Sequence, residues 1–231
     1  MSEHEEVITR RTLLGAALLM TMASAAPAGQ RTTSKRIALL TRPKGTPHAI
    51  FARDWLVRAR AAVRPAITRL VLSDVFAPPG NDVDGLVSCW FEGNELPSLP
   101  PSPAIDATEL PVSEHVFVPV IGPAPTVKRT LLIARKPGMS HPQFVRHWRD
   151  IHGPLSRGVP GLAGCVFNLV GEEDAARTGI DGISESWWTG PGTEDGAKVR
   201  SAEADRWAGD GDNFIDSART RLLICREHVL R

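Results

Sequence analysis

Two residues in the second half of the sequence, His152 and Glu185, have the types and positions that proton-transfer chemistry needs. An imidazole with an ordinary pKa of about 6.5 can accept or donate a proton at neutral pH. His152 follows Trp148 by four residues in a predicted helix, so it lies at the edge of the buried stripe, where burial favours the neutral, basic form. We predict a general acid or base. Because Gly153 and Pro154 follow directly, a histidine that serves the last helix carbonyls is the alternative.

Glu185 alternates with Ile183 and Trp187 along a predicted strand, so these three side chains share one face of the sheet. We expect this face to point into an enclosed interior, where a carboxylate must be ion-paired, hydrogen-bonded or protonated. Glu185 is therefore predicted to be the catalytic partner of His152 or an anchor for the substrate. A salt-bridged structural acid is the alternative interpretation.

Three further residues, Trp148, Trp187 and His228, are candidates for substrate binding. The two tryptophans would line a cavity beside His152 and Glu185. Each of the three has a counterpart of its own type earlier in the chain, however, which is equally typical of a shared structural role. These counterparts are Trp55, Trp90 and His115.

Metal and nucleotide sites are not indicated. His147 and His152 are five residues apart, whereas two ligands on one helical face need a separation of three or four. The sequence contains no HExxH, no Walker loop, no GxGxxG after a strand and no GxSxG. We therefore predict no metal and no cofactor.

The elements that must position these residues occur twice in the chain. Residues 36–59 align without a gap with residues 129–152 and share 8 of 24 positions, and two shorter blocks repeat in the same order further on. Such self-similarity indicates an internal duplication. It predicts two units, 36–121 and 128–231, and only the second has His152 and Glu185.

Each unit has the order β-α-β-β-α-β, which is the ferredoxin-like arrangement of an α+β fold. The first helix of each unit is predicted to start near residues 47 and 140, the second start being marked by a capping box of Ser140 and Gln143. A second helix is expected over 194–207, whereas prolines between 93 and 111 replace its counterpart in the first unit. Two such units can pack face to face and bury both sheets.

The first 28 residues resemble a twin-arginine signal peptide. Arg10 and Arg11 precede an apolar run, Leu13 to Ala26, and small residues suit cleavage after Ala25 or Ala28. We expect an exported protein, periplasmic or extracellular, that meets the membrane only through this signal. An uncleaved anchor or a disordered tail is the alternative.

Composition limits the partners. The formal net charge is +1 and the Lys and Arg residues are scattered, so no nucleic-acid footprint is visible and a hydrophobic small molecule is the expected partner. Tyrosine is absent, which excludes tyrosyl chemistry. Three cysteines at unrelated positions predict buried free thiols rather than a disulfide framework: Cys89, Cys165 and Cys225.

Three stretches resemble the EthD family of dimeric alpha-beta barrel proteins: FVRHWRDIHGPL at 144–155, GISESWW at 182–188 and REHV at 226–229. The resemblance implies that one chain supplies both halves of a barrel, as a monomeric pseudo-dimer or a further homodimer. It also implies an oxidoreductase or a cofactor-free dehydratase or cyclase that acts on a hydrophobic, oxygen-bearing compound. Two alternatives remain open, a small-molecule carrier without chemistry and a haem-binding barrel, since exported haem peroxidases share this barrel type.

Overall fold

The computed structural model describes residues 33–61, 66–78, 82–93, 106–122, 125, 127–190, 193 and 198–230. The predicted signal peptide, 1–28, lies outside the described residues, as does most of the proline-rich stretch. No helix in the described part of the chain is long and apolar enough to cross a membrane.

The described residues of the first half form four strands and one helix. Its strands pair in the order β4-β1-β3-β2, each antiparallel to its neighbour. The last strand was predicted over 114–121 but starts earlier and ends at Val118. The elements are β1 (Thr33–Thr41), α1 (His48–Ala61), β2 (Ile67–Ala77), β3 (Gly85–Glu92) and β4 (Asp106–Val118).

The second half repeats this strand order as β8-β5-β7-β6. Its helices differ from the expected ones in two ways. One helix, α4, was not predicted, and α5 starts later than residue 194. Ser201 precedes α5 and caps it, because its side chain accepts a hydrogen bond from the backbone N–H of Ala204. The elements are β5 (Val127–Ile133), α2 (His141–His147), a π-helical turn (Trp148–His152), α3 (Gly153–Leu155), β6 (Leu162–Val170), α4 (Glu172–Thr178), β7 (Gly182–Trp188), α5 (Ala202–Asp210), a 3-10 turn (Gly211–Asn213) and β8 (Arg221–Val229).

Two strand pairs between the halves close the sheet into a barrel. β2 pairs with β8 and β4 pairs with β6, so all eight strands form one antiparallel ring. The last strand of each half thus lies beside the second strand of the other half. The predicted α+β barrel in a single chain is confirmed.

Buried apolar side chains of the described residues form three clusters. One fills the barrel interior, with Ile37, Leu110 and Ile183 among its members. The other two lie between the helices and the outer face of the barrel. We call the cluster around α1, which contains Phe51 and Trp55, the first helix layer. The second helix layer surrounds α2 and α5, and it contains Phe144, Trp148, Phe167, Trp207 and Phe214.

The helix that carries His152 begins at its predicted cap and changes pitch before it ends. Ser140 and Gln143 form the capping box, in which each side chain binds the backbone N–H of the other residue. At Trp148 the α-helix gives way to the π-helical turn, and the N–H of Gly153 donates to the carbonyl of Trp148, five residues back. The continuous helix expected over 140–154 is therefore interrupted, and a π turn of this kind is frequent at functional sites.

The three cysteines are buried and unpaired, as predicted. Burial raises the pKa of the Cys89 thiol to about 11 and that of Cys165 to about 12, so both remain protonated at neutral pH. They behave as small apolar side chains.

Candidate active site

His152 is buried in the second helix layer and surrounded by aromatic rings. Only 7% of the residue is exposed. Its ring stacks at 5.8 Å from Phe167 and 5.6 Å from Trp207, and it meets the edge of Phe214 at 4.8 Å. The predicted position at the edge of an apolar interior is confirmed, because the imidazole has an apolar wall on three sides.

Asp210, the last residue of α5, orients this imidazole. Its Oδ2 lies 2.9 Å from Nδ1 of His152 and 3.2 Å from Nε2 of His147. Nδ2 of Asn213 donates to Oδ1 at 3.0 Å. When Nδ1 of His152 donates to this carboxylate, Nε2 carries the free lone pair and is the basic atom.

The surroundings keep His152 neutral. Burial lowers the pKa of His152 to about 4, and the hydrogen bond to Asp210 offsets only part of that effect. Burial alone raises the pKa of Asp210, but hydrogen bonds from Asn213, His152 and His147 lower it by more. At neutral pH the pair is therefore an ionised carboxylate beside an uncharged base.

The first half of the barrel supplies one wall of the same layer. Phe117, in β4, lies with its ring 4.8 Å from that of Phe167. A Cβ atom on Gly153 would lie 2.2 Å from the Phe117 ring, so only glycine fits directly after His152. Gly153 thus lets the two halves meet beside the imidazole, a role the helix-capping alternative did not foresee.

Glu185 points into the barrel interior, as predicted, and is fully ion-paired there. Its Oε1 lies 2.5 Å from Nζ of Lys128, and its Oε2 lies 3.1 Å from Nζ of Lys35 and 3.0 Å from Nδ2 of Asn168. Burial by itself raises the pKa of Glu185, but the two ammonium groups and the amide more than offset it and hold that pKa far below its ordinary value. The geometry matches a structural acid.

The ion pairs continue on both sides of Glu185. Nζ of Lys35 lies 2.7 Å from Oε1 of Glu114, and Nζ of Lys128 lies 2.8 Å from Oε1 of Glu227. Two carboxylates and two ammonium groups thus flank Glu185 symmetrically. We call these five side chains the interior ion chain.

A tryptophan ends the interior ion chain on each side. Nε1 of Trp90 donates to Glu114 at 3.0 Å, and Nε1 of Trp187 donates to Glu227 at 2.7 Å. On the Trp90 side, Lys35 and Glu114 also line an open cleft of about 970 Å³. The cleft adjoins a network whose charges already have partners.

The predicted pairing of His152 with Glu185 is contradicted by the structure. Phe167 and Asn168 are neighbours in β6, so their side chains point to opposite faces of the sheet. Phe167 stacks on His152 in the second helix layer, whereas Asn168 donates to Glu185 in the barrel interior. The sheet therefore separates the two residues, and Asp210 is the partner of His152.

The three candidate substrate-binding residues also lie apart. Trp148 is fully buried near His152, where it stacks on Phe167 at 4.4 Å. Trp187 is in the barrel interior, bound to Glu227. His228 follows Glu227 in β8, so its side chain points away from the interior. Within the described residues, Trp148 is the member of this set that shares a layer with His152.

Sequence reasoning missed Asp210, Trp207 and the two lysines. Lys35 and Lys128 directly precede the first matched pair of the aligned segments, Arg36 and Arg129, and Glu114 and Glu227 are themselves a matched pair. Buried polar partners of identical type in both copies were therefore a usable signal for the interior ion chain. Asp210 and Trp207 had no such signal, because they lie in a segment whose counterpart in the first copy is proline-rich.

Comparison with protein families places the site within a known domain type. Residues 136–218 match the EthD domain. The match includes His152, Glu185, Trp207 and Asp210, which bears out the resemblance for this part of the chain. No curated protein sequence is significantly similar to the chain.

Solved structures with the same fold have very different sequences. An anthrone oxidase-like protein is 11% identical with a TM-score of 0.54, and the alignment covers 86% of this chain and 93% of that chain. A proposed monooxygenase from Fusobacterium nucleatum is 8% identical with a TM-score of 0.53, covering 87% and 94%. At such identities the likeness shows the fold alone, and it extends over both halves of the barrel.

Proposed function

We propose that the second helix layer is the active site of an enzyme that moves protons on a hydrophobic, oxygen-bearing organic compound. His152 is the general base and acid, and Asp210 is its positioning residue. The observation that carries this proposal is the buried His152–Asp210 pair enclosed by the rings of Phe167, Trp207 and Phe214. Titratable pairs in apolar surroundings are typical of proton-transfer sites.

The location of Asp210 supports a functional role. A carboxylate at the C-terminal end of a helix is unfavourable, because the helix dipole places partial negative charge there. Asp210 nevertheless ends α5 and holds both His152 and His147. Local rules of this kind are most often broken at functional sites.

The chemistry follows from the orientation of the imidazole. Nε2 removes a proton from a carbon next to a carbonyl group, while Asp210 keeps Nδ1–H in place and stabilises the imidazolium that forms. The aromatic walls exclude water and suit a planar substrate. Returning the proton to another atom of the enolate gives an isomerisation. Where the substrate has a hydroxyl group one carbon further on, transfer of the proton from the imidazolium to that hydroxyl releases water and gives a dehydration. Neither reaction requires a cofactor.

The test uses 2-tetralone, a bicyclic ketone with exchangeable protons beside its carbonyl, in deuterated water. Proton NMR would follow the exchange rate with the wild-type protein above the uncatalysed rate. The His152→Gln variant should lose 100-fold or more of the catalysed rate, in keeping with the ~10²–10⁴-fold typical of a general base. Asp210→Asn should lose less, since the base remains and only its orientation suffers.

His228→Gln is the matched control and should leave exchange unchanged, because His228 lies beside Leu72, which belongs to the first helix layer. Unchanged exchange in His152→Gln would overturn the proposal. Binding of 2-tetralone by the wild type without any exchange would favour the carrier alternative. An absorption band of haem in the purified protein would favour the haem-binding alternative.

The tandem organisation and export are part of the same proposal. The identical strand order of the two halves and their matched residues support a duplicated gene, in which one chain does the work of a dimer. We also propose that residues 1–28 direct export of the folded barrel. Intact mass of the secreted protein would locate the cleavage, and light scattering would show whether the chain remains a monomer.

A further inference from the structure

Two indole N–H groups in the second helix layer have no hydrogen-bond partner in the described part of the structure. They are Nε1 of Trp148 and Nε1 of Trp207, and both are screened from solvent. A third tryptophan of the same layer behaves differently, because Nε1 of Trp188 donates to Oγ of Ser186 at 3.2 Å. Buried donors without an acceptor are rare and costly, so each one calls for an explanation.

Trp207 is the one that adjoins the base. Its ring lies 5.6 Å from that of His152 with an angle of 27° between the planes, and it is 6% exposed. It precedes Asp210 by three residues on α5, so one turn of helix holds both side chains on the same face. Trp148, by contrast, is fixed by packing, with the outer edge of its ring over Gly182.

We propose that Trp207 donates its indole N–H to the oxygen of the substrate. The inference rests on the proposed function and deepens it, since it names the substrate class as enolisable aromatic ketones or the phenols they resemble. Nε2 of His152 forms a bond to the proton as the C–H bond breaks, and the electron pair moves into the carbonyl, whose oxygen becomes an enolate. The indole keeps its proton and stabilises that charge.

A neutral indole donor suits this task. Tryptophan has a donor and no acceptor, so it favours a substrate oxygen over a substrate N–H. Asp210 cannot stabilise an oxyanion, because its carboxylate is negatively charged. It is also already hydrogen-bonded to His152, His147 and Asn213. The substrate oxygen would satisfy the donor that the folded protein leaves open.

The experiment compares two probes, 2-naphthol and naphthalene, which differ by one hydroxyl group. Dissociation constants from ligand-observed NMR give the preference for naphthol in the wild type and in Trp207→Phe. Phenylalanine keeps an aromatic ring and removes the N–H, so the preference should fall at least tenfold. Circular dichroism would verify that the variant is folded.

Trp188→Phe and Trp148→Phe are the matched controls from the same layer, and both should keep the wild-type preference. An unchanged preference in Trp207→Phe, a collapse in Trp148→Phe alone, or no binding of either probe would each overturn the inference. The tetralone exchange separates the two proposals. If His152→Gln loses exchange and Trp207→Phe keeps the preference for naphthol, only the role of Trp207 as donor is refuted. If the wild type shows no exchange and Trp207→Phe loses the preference, only the role of His152 as base is refuted.

Discussion

The two helix layers share their packing and differ in their polar groups. In the first, the Trp55 ring lies over Gly85; in the second, the Trp148 ring lies over Gly182 at the matching position. The residue four positions after the tryptophan is Ala59 in one layer and His152 in the other, and both are buried. An alanine is therefore sufficient for the packing, so the imidazole is present for another reason.

Each half also closes the layer of the other half with a residue at, or directly after, the end of its last strand. Phe117, from the first half, packs in the second helix layer, and Leu230, at the matching position, packs against the first. Phe117 contacts Phe167, which stacks on His152. The half without the base thus helps to enclose it, which is a physical reason for both halves to persist in one chain.

The barrel interior shows the same pattern of symmetry with two exceptions. Each half supplies a lysine, a glutamate and a tryptophan in equivalent contacts, but Glu185 stands where the first half has Ser88. Asn168, which binds Glu185, likewise stands where the first half has Ser73. Oγ atoms of both serines are buried without a partner in the described structure. The Glu185 carboxylate therefore forms ion pairs with the lysines of both halves.

Replacing Glu185 with serine would make the interior symmetrical and should cause the largest loss of stability. Lys35 and Lys128 would each lose an ion-pair partner in a buried site, and breaking such a pair costs about 3–5 kcal/mol. Urea denaturation of Glu185→Ser would measure the free energy of unfolding. Ser88→Ala, which removes an unpartnered hydroxyl, is the matched control and should change it little.

Because the sheet separates Glu185 from His152, folded Glu185→Ser should keep its tetralone exchange rate per molecule. A stable variant would show that the interior ion chain does not hold the halves together. A stable fold with lost exchange would instead restore the catalytic role first predicted for Glu185.

Acid should destabilise the second helix layer through His152. The pKa of this imidazole is about 4 in the folded protein, against about 6.5 in an unfolded chain. Between pH 6.5 and pH 4, His152 is protonated in the unfolded chain but stays neutral in the folded protein. The free energy of unfolding therefore falls by about 3 kcal/mol as the pH is lowered through this range. The contribution is complete above pH 6.5.

Denaturation at pH 4.5 and pH 7.5 would measure this effect in the wild type and in His152→Gln, which has no proton to bind. The variant should lose less stability on acidification than the wild type. Asp210, His147 and Lys198 also act electrostatically on His152, and equal losses would mean that such groups dominate the pH dependence.

The sequence could predict most of the fold because the two aligned segments, 36–59 and 129–152, and the two shorter matched blocks supplied two views of most elements. Matched glycines, tryptophans and strand blocks identified the eight strands, with errors only at ends such as Asp106. The burial of His152 and the inward orientation of Glu185 also followed from helical and strand periodicity. These features depend on local spacing, which a sequence displays directly.

The partners of those residues depend on which side of the sheet each faces, and local spacing does not display that. The sequence predicts Glu185 as the partner of His152, or as an anchor for the substrate, because periodicity places both residues at an apolar interior of the second half. The actual partner, Asp210, lies 58 residues away from His152 at the end of a helix that was predicted too early. A pairing across elements requires the position of α5 over β6, which only the assembled layers define.

The smallest expected effect compares the two glycines beneath the layer tryptophans. A Cβ atom at residue 182 would lie 2.1 Å from the Trp148 ring, whereas one at residue 85 would lie 3.0 Å from the Trp55 ring. Overpacking of this kind costs about 1–3 kcal/mol, so Gly182→Ala should fall at the upper end and Gly85→Ala at the lower end. Thermal denaturation of the two variants measures the difference.

The same two variants should also differ in activity. Because Trp148 stacks on Phe167 beside His152, only Gly182→Ala should slow tetralone exchange. Equal slowing by both variants would mean that the two helix layers are coupled through the barrel rather than independent.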